Sequence, residues 1–569
     1  MSSLSYYLSM YKCVAAKQIA LITCCWLALH GCASTMRDNV PAVNYVPDSN
    51  YYLIMAEIAL QREQQTTAAK EYLNAAAQSD EPQISQRATE FAFEHGYLVY
   101  ALPAARRWVD LDPDNPVAHE YAARAYMRRN ALESALYHWR RVLGPDDGRT
   151  EQDFTELAEA IAEEPNPYAV TWILTRLTAE TPASPTLRMA LARAALRSRQ
   201  PDLSLASAQR AAAAGIDRTQ TTLLIAEAQL SIGDWLEAQR AMEGLLAESP
   251  QLALEVEYVQ LMAAAGEYLR ARDEIEQLAK DFGVQPQLIR LHGLVNLAAG
   301  EIRTAEREFQ RLLESGYEIY ECFYFLGQIA EFRREYDEAI GYYRRISSGS
   351  YFVQAQVAIA QAYAGLGDSE AALNHLSDFA STHPLHYFET LNALARLYER
   401  MGEYGSAVAT YDEILRYQPD VISLMNARSI MLDLNGDVDQ ALRSMRRTLA
   451  LSPINADTMN TLGYTLTNRT SRHNEAYSLV RAALELEPNN PAIIDSMGWV
   501  LFKLGKLEEA RSYLELALDR VEDPEIVAHL GEVMWTIGDR DEARELMARS
   551  SANFPDSKPL SATMERLLE

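Results

Sequence analysis

Few side chains in this 569-residue chain have the types and spacing that catalysis or metal binding requires. His383 and His386, in the stretch HPLH, flank a proline and lack companion ligands, so we expect loop histidines rather than a metal site. The stretch GPDDGRT, residues 144–150, gathers two aspartates but lacks the alternating carboxylates of a calcium loop. Cys322 lies in the apolar stretch YECFYF, which is typical of a buried small hydrophobic residue rather than of a nucleophile.

Motifs of known catalytic chemistry are also missing from the sequence after its first 31 residues. It contains no HExxH, no GxSxG, no Walker-type GxxxxGK[ST] and no paired CxxC. We therefore expect neither an enzyme nor a cofactor or metal site. The function has to be sought in binding.

The first 31 residues have the composition of an export signal. Lys12 and Lys17 are the only strongly charged residues among them, and an apolar run, residues 19–29, follows the lysines. A positive start and a short apolar core are typical of a bacterial secretory signal, and the run is short for a transmembrane helix. Translation from either Met1 or Met10 preserves this arrangement.

The signal ends at Leu29-His30-Gly31-Cys32, which resembles the lipobox of bacterial lipoproteins. The resemblance implies that Cys32 is lipidated and becomes the N-terminus after cleavage, although His30 occupies a slot that usually holds a small residue. Because Ala33 rather than Asp follows the cysteine, it also implies anchoring at the outer membrane, on its periplasmic face. The alternative is an ordinary secretory signal with a chance cysteine.

Composition restricts the partners and the covalent chemistry of the exported body. Three of the five cysteines lie in the signal, so a lipidated Cys32 leaves Cys322 alone and an intramolecular disulfide impossible. The formal net charge of −27 disfavours nucleic acid and anionic lipid and favours basic or neutral partners. The chain contains no second apolar run of spanning length, and 48% hydrophobic residues argue against wholesale disorder.

One motif recurs along the body of the chain about every 34 residues. Alanines mark it at intervals of 33 to 35 residues; a glycine precedes most of them by five positions, and a proline follows several by twelve. A small residue also stands twelve positions before many of them. The alanines are Ala238, Ala271, Ala305, Ala339, Ala372, Ala407, Ala441, Ala476, Ala510 and Ala543.

These positions fit a helix-turn-helix unit. Apolar residues before the glycine have helical spacing, and glycine accepts the left-handed conformation that ends a first helix. Small residues such as Ala395 and Ala407 allow the two helices of a unit to approach closely, and the proline ends the second helix. Such units bury their apolar faces only against neighbours, so the pattern predicts a solenoid.

The stretch NALARLYERMGEYGSAVATYDEILRYQPD, residues 392–420, resembles the tetratricopeptide repeat. The resemblance implies an all-α, right-handed superhelical solenoid of about fifteen such repeats. We predict a signal peptide at residues 1–31 and a lipidated cysteine with tether at 32–50. Divergent repeats are expected at 51–217, regular repeats at 218–555 and a capping helix at 556–569.

In this repeat family the first helix of each unit lines the concave side, where ligands usually bind. Counting from the small residue of each first helix places asparagine, aspartate and large aromatic side chains on that side near the C-terminus. Such side chains could hydrogen-bond a peptide backbone and anchor a partner. The predicted partner-binding residues are Asn426, Asn460, Tyr464, Asp495, Trp499, Phe502 and Trp535. The alternative is that the aromatic residues pack between helices.

Three late stretches, NTLGYTLTNRT, DSMGWVLFKLGKLEEA and AHLGEVMWTIGDRDEA, resemble those of the large tetratricopeptide-repeat outer-membrane lipoproteins of Gram-negative bacteria. That group includes lipoprotein adaptors of carboxyl-terminal processing proteases. The resemblance implies a periplasmic scaffold that binds such a protease, its cell-wall hydrolase substrates, or both. A structural component of an envelope assembly or export machine, for polysaccharide or pili, is the alternative.

Overall fold

The computed structural model describes residues 47–145, 149–555 and 557–568. These ranges contain 31 α-helices, one short 3-10 helix, Pro384–His386, and no β-strand. The expected all-α solenoid is therefore confirmed. The predicted signal, Cys32 and nearly all of the predicted tether lie outside the described residues.

The helices follow one another through the described chain with short connections. Helices α1 to α16 are Ser49–Gln61, Gln65–Ala77, Pro82–Glu94, Leu98–Leu111, Pro116–Arg128, Leu132–Leu143, Glu151–Ala162, Pro167–Glu180, Pro185–Arg197, Pro201–Ala213, Arg218–Ile232, Trp235–Glu248, Leu252–Ala264, Tyr268–Asp281, Pro286–Ala298 and Ile302–Glu314. Helices α17 to α31 are Ile319–Phe332, Tyr336–Tyr343, Phe352–Gly365, Ser369–Thr382, Tyr387–Arg400, Tyr404–Tyr417, Ile422–Leu434, Val438–Leu451, Ala456–Arg469, His473–Leu486, Pro491–Lys503, Leu507–Arg520, Pro524–Ile537, Arg540–Asn553 and Lys558–Leu568.

Helices α1 to α30 form fifteen consecutive pairs, and α31 packs on α29 and α30. Most pairs are tight hairpins, as α1 with α2 and α27 with α28. The fourth pair departs from this rule, because α7 packs mainly on α9 while α8 lies between α6 and α9. The departure falls in the stretch whose repeats diverge most in sequence.

The turn inside a unit takes a left-handed residue even where the sequence lacks the expected glycine. Glycines such as Gly402, with φ of 78°, fill it in most units. Asn130, Arg199 and Arg334 take the same place with φ of 53°, 56° and 62°. The left-handed turn therefore occurs in most units with or without glycine, and glycine only lowers its cost.

Helix starts and close helix contacts follow from local chemistry. Asn490 caps α27 by accepting from the Ala492 N–H at 3.1 Å, and Pro491 begins that helix without a missing donor. A Cβ added at Gly498 would lie 2.6 Å from Cγ of Leu514, on the second helix of the same unit. Small residues at this position therefore set how closely paired helices pack.

The first helices lie on the inner side of the solenoid. The second helix of one unit packs on the first helix of the next, and in the series α23, α25, α27 and α29 successive first helices also contact one another. The solenoid curves until two distant parts of the chain meet. Residues 288 to 321 positions apart form hydrogen bonds there. Residues near 97–199 thus lie against residues near 388–487, and the chain completes one superhelical turn between them.

In the described ranges, all the helices are too short or too polar to cross a lipid bilayer.

Candidate functional site

Two of the residues predicted to bind a partner, Asp495 and Trp499, contact a histidine that was not among the predicted site residues. His529, on α29, is buried, and its Nδ1 lies 2.9 Å from Oδ1 of Asp495. The Trp499 ring stacks on the imidazole with centroids 4.0 Å apart. Although burial favours the neutral ring, the adjacent Asp495 carboxylate raises the pKa of His529.

The sequence alone distinguishes His529 from the residues at the equivalent position of the preceding repeats. The positions two residues before the small residue hold Ala393, Ala427, Thr461 and Ser496 in the preceding units. Because the equivalent positions in the preceding units hold smaller residues, the ring of His529 must displace or contact the neighbouring side chains. The ring does so by filling the space between α27 and α29, where it meets Asp495 and Trp499.

Burial corrects the expectation for Asp495 and Trp499 as exposed groove residues. Both are only 6% exposed, and the Trp499 indole N–H donates to Oδ1 of Asn468 at 2.7 Å. Phe502 stacks on Trp499, with centroids 5.2 Å apart, and joins the surrounding hydrophobic core. The alternative interpretation, packing between helices, therefore describes these side chains.

The Asn426 side chain is also buried and hydrogen-bonded within the protein. Its side chain is 9% exposed, and its amide nitrogen donates to Oγ1 of Thr458 at 2.8 Å. Asn455 accepts from the same Thr458 hydroxyl at 2.7 Å while it caps α25. Asn426 therefore joins two successive first helices, α23 and α25.

The other three predicted partner-binding residues, Tyr464, Trp535 and Asn460, are half-buried. The Tyr464 hydroxyl donates to Glu525, and burial together with that carboxylate raises the pKa of Tyr464. Trp535 lies beneath the guanidinium groups of Arg540 and Arg544, each 5.1 Å from its ring centroid. Asn460 carries a buried Oδ1 without a hydrogen-bond partner in the described structure. A binding role for these three residues stays a prediction.

The same register identifies a more open surface on earlier units. Two depressions, of about 300 and 530 Å³, lie on the inner side of α17, α19, α21 and α23. They share Gln361, Asn392, Arg396 and Arg400, and we call this continuous surface the inner groove. Its other lining residues include Tyr324, Gln328, Val357, Ile430 and Glu399. The inner groove lies mostly on units that precede those of the predicted partner-binding residues.

Polar groups that can meet a peptide dominate the inner groove. Arg396 and Arg400 are exposed, and neither forms an ion pair with a described residue. Gln361 and Asn392 offer amides one unit apart, and an amide can both donate to and accept from a peptide bond. Guanidinium groups bind carboxylates in a bidentate manner. Because Glu331, Glu389 and Glu399 also line the groove, it offers an extended segment amides and charged groups of both signs.

The remaining candidates for chemistry have structural surroundings. His383 and His386 pack on Phe379, with centroids 4.3 and 6.3 Å apart. Cys322 is fully buried, and burial raises the pKa of its thiol to about 12, far from that of a nucleophile. No group of three or more potential metal-ligating side chains occurs in the described part of the chain.

Comparison with known proteins agrees with this architecture. Residues 290–350 and 496–558 match one tetratricopeptide repeat model, and residues 390–421 match a second. These matches include α17 and α21 of the inner groove.

Similar proteins cover very different shares of this chain. A tetratricopeptide-repeat-containing protein of Pseudomonas aeruginosa is 28% identical over 531 residues, 90% of this chain and 89% of the relative. A BBSome complex member of Caenorhabditis elegans is 28% identical over 124 residues, 22% of this chain and 27% of that protein. The solved APC/C hetero-tetramer Cut9–Hcn1 is 14% identical, covering 92% of this chain and 96% of that one, with a TM-score of 0.34. Residues 290–350, 390–421 and 496–558 thus match tetratricopeptide repeat models within an all-α solenoid fold.

Proposed function

We propose that this protein is an outer-membrane-anchored periplasmic scaffold that binds other proteins in the inner groove. The observation that carries the proposal is the exposed Arg396 and Arg400, neither in a salt bridge with a described residue, beside the amides of Gln361 and Asn392 on adjoining units. Glu331, Glu389 and Glu399 line the same strip, so it presents both signs of charge beside its amides. It supports recognition of a peptide segment rather than general attraction to basic partners.

The lipobox-like ending at Cys32 supports the location, and the tetratricopeptide repeats support protein binding. The resemblance of the C-terminal stretches to adaptor lipoproteins gives the partner class. We infer a carboxyl-terminal processing protease, its cell-wall hydrolase substrates, or both. The chain acts in this proposal by holding its partners together, not by catalysing a reaction itself.

Affinity of the purified mature chain for a purified carboxyl-terminal processing protease tests the proposal. The Asn392→Ala, Arg396→Ala double variant should bind at least about thirtyfold more weakly, because truncated central contacts typically cost about 2 kcal/mol or more. Arg416→Ala is the matched control, since Arg416 is an exposed arginine on α22 paired only with Glu413. It should bind like the parent.

Two results would overturn parts of this proposal. Equal binding by the parent and the double variant, with both folded, would remove the inner groove as the binding surface. Absence of binding by the parent, together with unchanged proteolysis in cells that lack the protein, would remove the protease and favour the envelope-machine alternative.

A further inference from the structure

The contact between the two superhelical turns divides into two chemically different halves. We call the whole contact the inter-turn seam. Its first half is aromatic: Tyr97 packs edge-on against Phe388 and Tyr417, with centroids 5.4 and 5.5 Å apart. Gly96 admits this approach, because a Cβ there would lie 2.9 Å from both Phe388 and Gln418. Residues of both turns share one hydrophobic core at this half.

The second half of the seam is ionic. Asp420 accepts from Arg129 at 2.7 Å across the turns and from Arg447 of its own turn at 3.2 Å. Farther along, Glu487 accepts from the Tyr168 hydroxyl at 2.6 Å and pairs with Arg199 at 3.3 Å. These two carboxylates, two repeat units apart on the second turn, hold the first turn by charge rather than by buried apolar area.

In the ionic half of the seam, the cost of removing water from the carboxylates opposes the attraction between the charged groups. The side chains of Asp420 and Glu487 are only 13% and 6% exposed, so closing the seam removes most of their hydration. Their partners Arg129 and Arg199 are 35% and 66% exposed, so water and salt weaken the attraction in return. Burial and the neighbouring Glu487 also raise the pKa of Asp457, a further sign of crowded negative charge.

Space already exists on both sides of the ionic contacts. A cavity of about 550 Å³ lies between the turns, lined by Leu98 and Tyr168 of the first turn and Gln418 and Asp457 of the second. Beyond Arg199 the turns diverge into a cleft of about 730 Å³, with Asp202 and Asn489 on opposite walls. Separation of the ionic half therefore requires no repacking of a continuous apolar core.

We propose that the ionic half of the inter-turn seam is a latch that opens while the aromatic half stays closed. The opening turns the superhelix from a closed coil into one with a side entrance, since the 550 Å³ cavity and the 730 Å³ cleft then merge. A folded partner can reach the inner face through such an entrance, whereas a closed coil admits only what passes its ends. The proposal does not depend on which protein the inner groove binds.

A distance between spin labels across the cleft tests the latch. Labels at Asp202→Cys and Asn489→Cys are placed in the mature chain with Cys322→Ala, and pulsed electron paramagnetic resonance records their separation. We expect one short distance in low salt and a longer population that grows with added NaCl. In the Asp420→Asn, Glu487→Gln double variant the long population should already be present in low salt, with each lost pair raising the open-to-closed ratio up to about fivefold.

Two controls separate latch opening from general unfolding. Labels at Ser512→Cys and Glu545→Cys, both on the second turn, should keep one distance under all conditions. Glu306→Gln removes the ion pair with Arg333 between α16 and α17, at 2.6 and 2.9 Å, without touching the seam, and should leave the cleft distance unchanged. A single cleft distance in the double variant and in the parent at high salt would overturn the proposal.

Discussion

His529 and Asp495 form the most consequential buried polar pair near the C-terminus. The imidazole joins two first helices, since Asp495 belongs to α27 and His529 to α29. Trp499 covers the pair, and Lys503 lies 4.2 Å above the centre of its indole ring. The arrangement places one charged pair inside the stack and leaves little of it accessible to a partner.

We expect Asp495→Asn to destabilise the protein most strongly at mildly acidic pH. The pKa of His529 is raised in the folded state, so the pair's stabilisation is complete below the unfolded value near 6.5 and is lost as the pH rises through the folded pKa. Loss of one partner of a buried pair costs about 3 kcal/mol or more. Urea unfolding at pH 5.5 and 8.5 measures the difference.

The matched control is Asp541→Asn. Asp541 pairs with Arg544 at 2.7 Å, but its side chain is fully exposed, so no change in urea midpoint is expected at either pH. An Asp495→Asn defect that is the same at both pH values would mean that the charge on His529 does not contribute.

Residue roles within the site were the least predictable feature. Counting from the small residue placed Trp499 and Asp495 on the inner helices correctly, but it could not show that His529 covers them. A side chain's exposure depends on what the next unit places beside it, and a single repeat does not contain that information. The same limit concealed the inner groove, where Arg400 lies near Glu331 from two units earlier.

At the scale of elements, the close approach of paired helices should control stability. Gly498→Ala brings a methyl group within 2.6 Å of Leu514, so we expect a loss of about 1–3 kcal/mol in the free energy of unfolding. Gly244→Ala is the control: Gly244 lies in the interior of α12 with nothing within 4 Å of an added Cβ. It should stabilise the protein by up to about 1 kcal/mol.

Hydrogen exchange localises the Gly498→Ala effect. Because solenoid units pack only on their neighbours, lost protection should spread from α27 and α28 into adjoining helices before it reaches α11 to α14. Uniform loss along the chain, or no loss at α28, would contradict the assigned helix pairing.

The elements themselves were largely predictable because one pattern recurs so many times. Alanines such as Ala407 and glycines such as Gly402 fixed the period and the turns. The units whose turns contain Asn130 and Arg199 instead of glycine were harder to predict. No residue in their sequence indicates the left-handed turn. The contact of Tyr97 with Phe388 could not be predicted, since it depends on small rotations added over many units.

At the scale of the whole molecule, the anchor can be tested apart from the fold. Cys32→Ser should move the protein from the outer-membrane fraction to the soluble periplasmic fraction, because no acyl chain can then be attached. The circular dichroism melt should not change, since the compact repeat unit begins at Asp48. Cys322→Ala, which alters a buried cysteine, should leave the protein in the membrane fraction.

One result would contradict the proposed lipid anchor. A Cys32→Ser protein that remains in the outer-membrane fraction as firmly as the parent would show that attachment does not use this cysteine. The scaffold and its inner groove would then need another route to the membrane.

Photo-crosslinking from inside the groove tests the central claim most directly. A photoreactive phenylalanine analogue replaces exposed Gln361 in the inner groove, or exposed Arg416 on the second helix α22, in the membrane-anchored protein. We predict that illumination links Gln361, but not Arg416, to a carboxyl-terminal processing protease or to one of its cell-wall hydrolase substrates, identified by mass spectrometry. No product from Gln361, equal products from both positions, or products that contain only export-machine components would contradict the account.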